Sequence, residues 1–254
     1  MERERDPLDG RIAIVTGAGR GLGRTLALAL AQAGADIVAA ARSETEIQET
    51  VAAVKDMGRR GMAIPTDVTD SAPVNQMVER VGSEWGHIDI LVNNAGGELG
   101  FSKPAVDLGD AEWAQVLHLN LTGAFYCVRA AGRWMIQQRY GRIINIACLH
   151  GSRGSINHAA YAAAKGGLLQ LTRALALEWA TFGVTVNALG IGWLEGQGEL
   201  LEQPERAERL RRGMPLNRLA QAGDAGATLV YLASAGARYV TGAEMWVDGG
   251  WGCR

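Results

Sequence analysis

The chain has 254 residues, a formal net charge of −2 and 48% hydrophobic residues. That is enough apolar material for one large core and excludes a disordered chain, while the near-neutral charge argues against a nucleic acid or an anionic membrane as partner. Glycine accounts for 34 residues, about twice its usual ~7% share, so tight turns and close backbone approaches are numerous.

Short apolar runs alternate with longer amphipathic segments. Arg11–Thr16 predicts a strand, and Gly21–Ala33 a helix that Gly34 ends. Asp36–Ala41 predicts a strand, Glu44–Met57 a helix, Gly61–Pro65 a strand, Pro73–Trp85 a helix and Ile88–Val92 a fourth strand. One long helix is predicted over Asp110–Tyr140. A strand at Arg142–Ala147, a helix at Ala159–Ala180, a strand at Val184–Leu189, a helix at Asp224–Ala233 and a last strand at Glu244–Val247 follow. The alternation, with near-continuous Ile, Val and Leu in the strands, specifies an α/β fold. It is a Rossmann-type, doubly wound parallel sheet of about seven strands with helices on both faces.

No linker divides residues 1–254, so the chain reads as one dinucleotide-binding and catalytic domain. Leu194–Pro215 (194–215) departs from the pattern, being rich in Glu and Arg and poor in large apolar residues. It follows the carboxyl end of a strand, where open sheets bind ligands, and reads as a substrate lid; a solvated surface helix is the plainer alternative. Three cysteines, Cys127, Cys148 and Cys253, make no disulfide framework and fit a reducing, cytoplasmic setting. Met1–Gly10 is charged and lacks the apolar centre of a signal peptide, and Leu26–Ala40, interrupted by Gln32 and Asp36, falls short of the ~20 residues that span a bilayer. No histidine or cysteine cluster has metal-ligand spacing.

Between the first strand and helix lies Thr16-Gly17-Ala18-Gly19-Arg20-Gly21-Leu22-Gly23. Glycines let a phosphate approach the backbone, and the helix that follows offers free N–H groups and the positive end of its dipole. A pyrophosphate belongs there. The second strand ends Ala41-Arg42-Ser43 with no acid placed for a ribose hydroxyl. Arg42, with Arg20 from the turn, can grip a 2′-phosphate, so NADP(H) is favoured over NAD(H); Glu44 keeps NAD(H) open.

Tyr161 and Lys165, four residues apart on a predicted helix, share one face. An ammonium beside a phenol stabilises the phenolate and lowers its pKa, which suits a group that protonates an alkoxide or deprotonates an alcohol. With the Thr16–Gly23 turn, Asp67-Val68, Asn93-Asn94-Ala95-Gly96, Asn120 and Val247-Asp248-Gly249-Gly250 in order, nearly the whole chain resembles the short-chain dehydrogenase/reductase family. The resemblance implies that Asp67 and Val68 contact adenine, and that Asn94, Ala95 and Gly96 support the adenosine side. It implies that Asn120 holds a water linking Lys165 to solvent, and that Lys165 also binds the nicotinamide ribose. It further implies dimers or tetramers packed through the helices at Asp110–Tyr140 and Ala159–Ala180; Trp246 and Trp251 suit a further contact. Plainer readings stand beside these: Asp67 as a helix N-cap, Asn94 as a turn residue, Asn120 as a structural amide in a kinked helix.

Two stretches depart from the family. Cys148 stands where it has a serine that hydrogen-bonds the substrate oxygen, and a thiol is the weaker donor. Cys148 admits several readings: poor orientation of substrate, an unusual substrate, lost activity, a thiolate steadied by Lys165, or simple packing. After the sixth strand Ile191 replaces a proline and Gly196 a threonine; Ile191 still offers its backbone to the carboxamide. His150, His158 and Trp193 are expected in the substrate pocket, with Asn157 nearby. The expectation is an oxidoreductase moving hydride between NADP(H) and a carbonyl or alcohol substrate. A cofactor-binding scaffold or regulator with weakened catalysis, and a dehydratase or isomerase, are the alternatives.

Overall fold

The computed structural model describes residues 6–195 and 204–253. Its strands are β1 (Ile12–Thr16), β2 (Asp36–Ala41), β3 (Gly61–Pro65), β4 (Ile90–Asn93), β5 (Gly141–Cys148), β6 (Val184–Ile191) and β7 (Glu244–Val247). They form one parallel sheet in the order β3-β2-β1-β4-β5-β6-β7. The order reverses between β1 and β4, the switch point of a doubly wound sheet, where a crevice opens beyond the strand ends.

Alternation along the strands supplies two cores. Ala13 and Val15 of β1 face one side, with Leu26 and Leu30 of α1 (Gly21–Gln32), Ile47 of α2 (Glu44–Asp56) and Leu229 and Leu232 of α9 (Gly226–Ala233). Ile12 and Ile14 face the other, with Val74 and Met77 of α3 (Ser71–Trp85), Ala131 of α5 (Gly123–Gln138) and Leu175 and Trp179 of α7 (Ala159–Trp179). Burial on both faces explains why these strands read as unbroken apolar runs. Among the described residues no helix is long and apolar enough to cross a membrane.

One expectation is corrected. The long helix predicted over 110–140 is broken into α4 (Asp110–Leu117), a π turn at His118–Thr122 and α5. Asn120 supplies the reason: its side-chain Nδ2 donates to the Val116 carbonyl at 2.9 Å, the acceptor its own backbone N–H would use in a regular helix, so the ladder slips. A short helix, α6 (Leu149–Ser152), follows β5 directly. The two tryptophans expected at a subunit contact are partly buried within the chain. Trp246 lies over Gly190, where a Cβ would come within 2.1 Å of its ring. Trp251 joins Met214, Leu219 and Trp193 in a small cluster with Leu210 of α8 (Pro204–Gly213).

Glycine also sets the spacing of α5 and α7. A Cβ on Gly132 would meet the buried Trp179 ring at 2.5 Å. Overpacking of this kind costs about 1–3 kcal/mol, and 1 kcal/mol moves Tm by ~2–4 °C in a chain of this size. Gly132→Ala is therefore expected to lower Tm by several degrees in thermal unfolding; an unchanged Tm would refute this account of the helix packing.

Candidate active site

Four strand ends, those of β1, β4, β5 and β6, converge on the crevice, and polar groups tie them together. Thr16 Oγ1 accepts from the backbone N–H groups of Asn94 and Ala95, both at 3.0 Å. Asn94 Nδ2 donates to the carbonyls of Thr16 at 3.0 Å and Gly17 at 3.3 Å, so Asn94 braces the glycine turn as well as sitting beside it. Gly17 and Gly21 have φ of 66° and 53°. A Cβ on Gly23 would lie 2.0 Å from the Gly17 carbonyl oxygen. Arg20, which precedes α1, makes no side-chain cap, so the first N–H groups of that helix have no side-chain acceptor. A bare, side-chain-free turn at a helix N-terminus fits a pyrophosphate.

Around it, Gly19 adjoins Glu46, and Arg20 lies 3.8 Å from that carboxylate with 85% of its side chain exposed. Arg20 thus lies outward, where a bidentate grip was expected of it. Arg42, just after β2, is exposed, and its charge acts on Asp67. Asp67 is not a helix N-cap; Asp70 caps α3. Burial opposes ionisation of Asp67, but two hydrogen bonds from Thr69, at 2.9 and 2.7 Å, together with Arg42 bring it below the usual carboxylate range. Val68 is buried against Gly123. Leu22 packs on the core, and Ile191 ends β6 beside Cys148 and Val247.

The reacting groups meet at the start of α7. Lys165 is buried; its Nζ donates to the Ile146 carbonyl at 2.9 Å and stands 5.7 Å from the Tyr161 ring centre. Burial lowers its pKa from 10.5 to about 8. Tyr161 lies beside Cys148, and each acts on the other's titration. The Tyr161 pKa lies well above 10.0, raised first by burial and then by Cys148 and Glu98. This differs from the acidified phenol expected of a Tyr–Lys pair: the ammonium is turned to Ile146, and desolvation of a phenolate outweighs it. Cys148 is likewise raised by burial, which the His150 backbone N–H and Lys165 only partly offset. It is a thiol, not the thiolate that a neighbouring lysine suggested.

Asn120 lies beside Lys165, but its side chain is committed. Oδ1 accepts from Gly97 N, and Nδ2 donates to the carbonyls of Gly97 and Val116, all at 2.9 Å. The side chain is a structural amide bracing the Gly96–Gly97 turn, so any water it serves must bind its backbone.

The opposite wall is richer in titratable groups than the sequence suggested. His150 and His158 are both buried and stack with ring centres 4.6 Å apart. His158 Nδ1 lies 2.6 Å from the Ile156 carbonyl and its Nε2 3.3 Å from Glu98. His150 stands edge-on to Tyr161 and Trp193, at 5.7 and 5.4 Å. The backbone N–H of Lys103 donates to the Asn157 carbonyl at 3.0 Å, joining the loop after β4 to the turn before α7. Sequence reasoning missed Glu98. Its signal was position: an acid two residues beyond Asn-Ala-Gly, in a loop at the edge where ligands bind.

Of the segment 194–215, residues 196–203, including Gly196, lie outside the described residues. The rest carries α8, whose Ala207 and Leu210 pack toward Trp193 and Trp251 while Arg206 lies 5.9 Å over the Trp193 ring. Among the described residues no group of three or more His, Cys, Asp or Glu is placed to hold a metal ion.

Residues 17–252 match the family model described as enoyl-(acyl carrier protein) reductase. The chain is 38% identical over 244 residues to the 3-oxoacyl-[acyl-carrier-protein] reductase FabG of Escherichia coli, covering 95% of this chain and 97% of the relative. It is 36% identical over 247 residues to the 2-dehydro-3-deoxy-D-gluconate 5-dehydrogenase of the same organism, covering 96% of each. A solved gluconate 5-dehydrogenase from Burkholderia cenocepacia, in complex with NADP and tartrate, superposes with a TM-score of 0.93 at 34% identity over 98% of both chains.

The pocket wall makes one prediction. Burial first, then His158 and Arg206, push the His150 pKa from 6.5 to about 4. Between those values the unfolded chain binds a proton that the folded chain refuses, so this contribution is full above pH 6.5 and is lost as pH falls through about 4. The shift corresponds to on the order of 3 kcal/mol. His150→Gln should therefore lose less Tm than the parent between pH 7 and pH 5; parallel pH profiles would contradict it.

Proposed function

The chain belongs to the short-chain dehydrogenase/reductase family, and on that premise we propose how its residues carry out the reaction. It is an oxidoreductase acting with NADP(H) on a carbonyl or alcohol. When bound, the dinucleotide supplies hydride to a carbonyl carbon or takes it from an alcohol carbon. The Gly17–Gly23 turn and the N-terminus of α1 hold the pyrophosphate. Arg42, with Arg20 swinging in from solvent, holds the 2′-phosphate. Asp67 and Val68 border the adenine, Asn94 to Gly96 the adenosine side, the Ile191 backbone the carboxamide, and Lys165 the nicotinamide ribose.

Tyr161 is the general acid/base. Protonated at rest, with its pKa raised, it is set to hand a proton to the developing alkoxide during carbonyl reduction. In the reverse direction a phenolate must form, which burial and Glu98 oppose and Lys165 must offset. Lys165, lowered to about 8, sits where a proton can pass toward solvent through a water at the Asn120 backbone. Cys148 lends its sulfur as a weak partner to the substrate oxygen. The observation that carries this reading is Tyr161 beside Cys148, one helical turn from Lys165, at the convergence of the strand ends.

The segment 194–215 acts as the substrate lid, supported by the packing of α8 on Trp193. Assembly into a homodimer or homotetramer through α5 and α7 is supported by Phe125 and Leu177, which are 39% and 83% exposed on those helices. A reducing, cytoplasmic setting fits three free cysteines.

Consumption of NADPH with a carbonyl panel, followed by the near-ultraviolet absorbance of the reduced dinucleotide, tests the assignment. Tyr161→Phe should lower kcat/KM by about 10²–10⁴-fold. Cys148→Ser, a stronger donor, should hold or raise it; a Tyr161→Phe variant as active as the parent would remove Tyr161 from the mechanism. Arg42→Ala should raise KM for NADPH by roughly tenfold, as loss of a charge-assisted contact predicts, with little effect on NADH. An equal effect on both dinucleotides would place Arg42 away from the 2′-phosphate.

A further inference from the structure

Two buried polar atoms lie on adjoining rings of the wall beside Tyr161, with no partner among the described residues. Among the described residues His150 Nε2 and Trp193 Nε1 are shut from solvent and have no hydrogen-bond partner, and His150 is only 7% exposed. Such atoms are costly to bury, and folded chains seldom leave them unpaired without a reason. Here the two rings meet edge to face at 5.4 Å, and His150 lies 5.7 Å from Tyr161. Both orphaned atoms therefore sit within a small substrate's reach of the proposed proton donor.

Their chemistries are complementary. His150 Nδ1 lies 3.6 Å from Cys148 Sγ and 3.8 Å from a Glu98 carboxylate oxygen. The proton of the neutral ring accordingly sits on Nδ1, drawn by the carboxylate, and Nε2 is left as a lone pair. The indole N–H of Trp193 can only donate. One acceptor and one donor on adjoining rings match the group that does both, a hydroxyl. A carbonyl or an alkyl chain would leave the histidine nitrogen unmet.

We propose that this pocket is built for a hydroxylated ketone, in which a hydroxyl on the carbon next to the reacting carbonyl donates to His150 Nε2 and accepts from Trp193 Nε1. The two residues are then specificity determinants, and the product of reduction is a vicinal diol. Neither ring takes part in the hydride or proton transfer, so the inference rests on the oxidoreductase reading while adding the substrate class to it.

Two ketones that differ only in this hydroxyl, 3-hydroxybutan-2-one and butan-2-one, are compared as substrates with NADPH. The parent protein should favour the hydroxylated ketone in kcat/KM by about tenfold or more, since a site built around a hydroxyl rejects the analogue lacking it. Trp193→Phe, which keeps a ring and loses the N–H, and His150→Phe should each bring that ratio toward one. NADPH fluorescence on binding shows whether each variant is folded; should one fail to bind, the ratio in the parent decides alone. Equal kcat/KM for both ketones in the parent, or an unchanged ratio in a folded Trp193→Phe, overturns the inference and leaves the oxidoreductase reading intact. If NADPH binds and neither ketone is reduced, that reading fails first and the inference with it.

Discussion

A seam of hydrogen bonds along the carboxyl ends of the central strands holds the two halves of the site in register. On one side Thr16 and Asn94 lock the end of β1 to the end of β4 and fix the glycine turn. On the other, Asn93 donates to Asn145 at 2.9 Å, Asn145 to Thr172 at 2.8 Å, and Lys165 to the Ile146 carbonyl at 2.9 Å. Thr172 and Lys165 both belong to α7, so the helix carrying Tyr161 is tied to the strands that carry the glycine turn. In an apolar interior these bonds are directional where packing is not. The two cores fix the layers; the seam fixes where the phenol lies relative to the cradle.

What the sequence disclosed follows the range of each interaction. Strands buried on both faces announce themselves as local apolar runs, and β2, β3 and β7 fall where the pattern puts them. The cradle is also local, since Gly17, Gly21 and Gly23 act through the backbone within one turn. The features that escaped are contacts between distant segments. Asn120 shifts the helix by bonding Val116 nearby, but it also holds Gly97, which only the fold brings within reach. Glu98 gains its meaning from His150 and His158, some fifty to sixty positions away in a loop whose course no periodicity sets. The state of Tyr161 escaped for a related reason. Spacing places an ammonium on the same helical face, whereas the pKa depends on how far the phenol is desolvated and where that ammonium points.

The unusual cysteine makes more sense with its surroundings than against a serine template. A raised thiol beside a raised phenol is an uncharged pair, compatible with a wall that already holds the Glu98 carboxylate. A thiolate there would add a second negative charge against Glu98. The pocket therefore keeps its charge at the edges, on Glu98 and on Lys165, and its centre neutral. His150 follows the same rule, held unprotonated near pH 7 by burial and by positive neighbours.

That neutrality has a structural cost, and the fold shows where it is offset. A buried ammonium bonded to the Ile146 carbonyl, and a neutral histidine nitrogen and an indole N–H unmet among the described residues, each destabilise the resting protein. All three sit at the rim of the sheet, next to α6, α7 and the segment after β6, and none lies inside the two continuous cores. Separation of this kind lets a rigid frame carry polar atoms that only a ligand completes. It also accounts for the clustering of aromatic rings at the rim: Trp193, His150 and His158 exclude water from the orphaned atoms by packing on one another, so a substrate meets groups that have no solvent to displace.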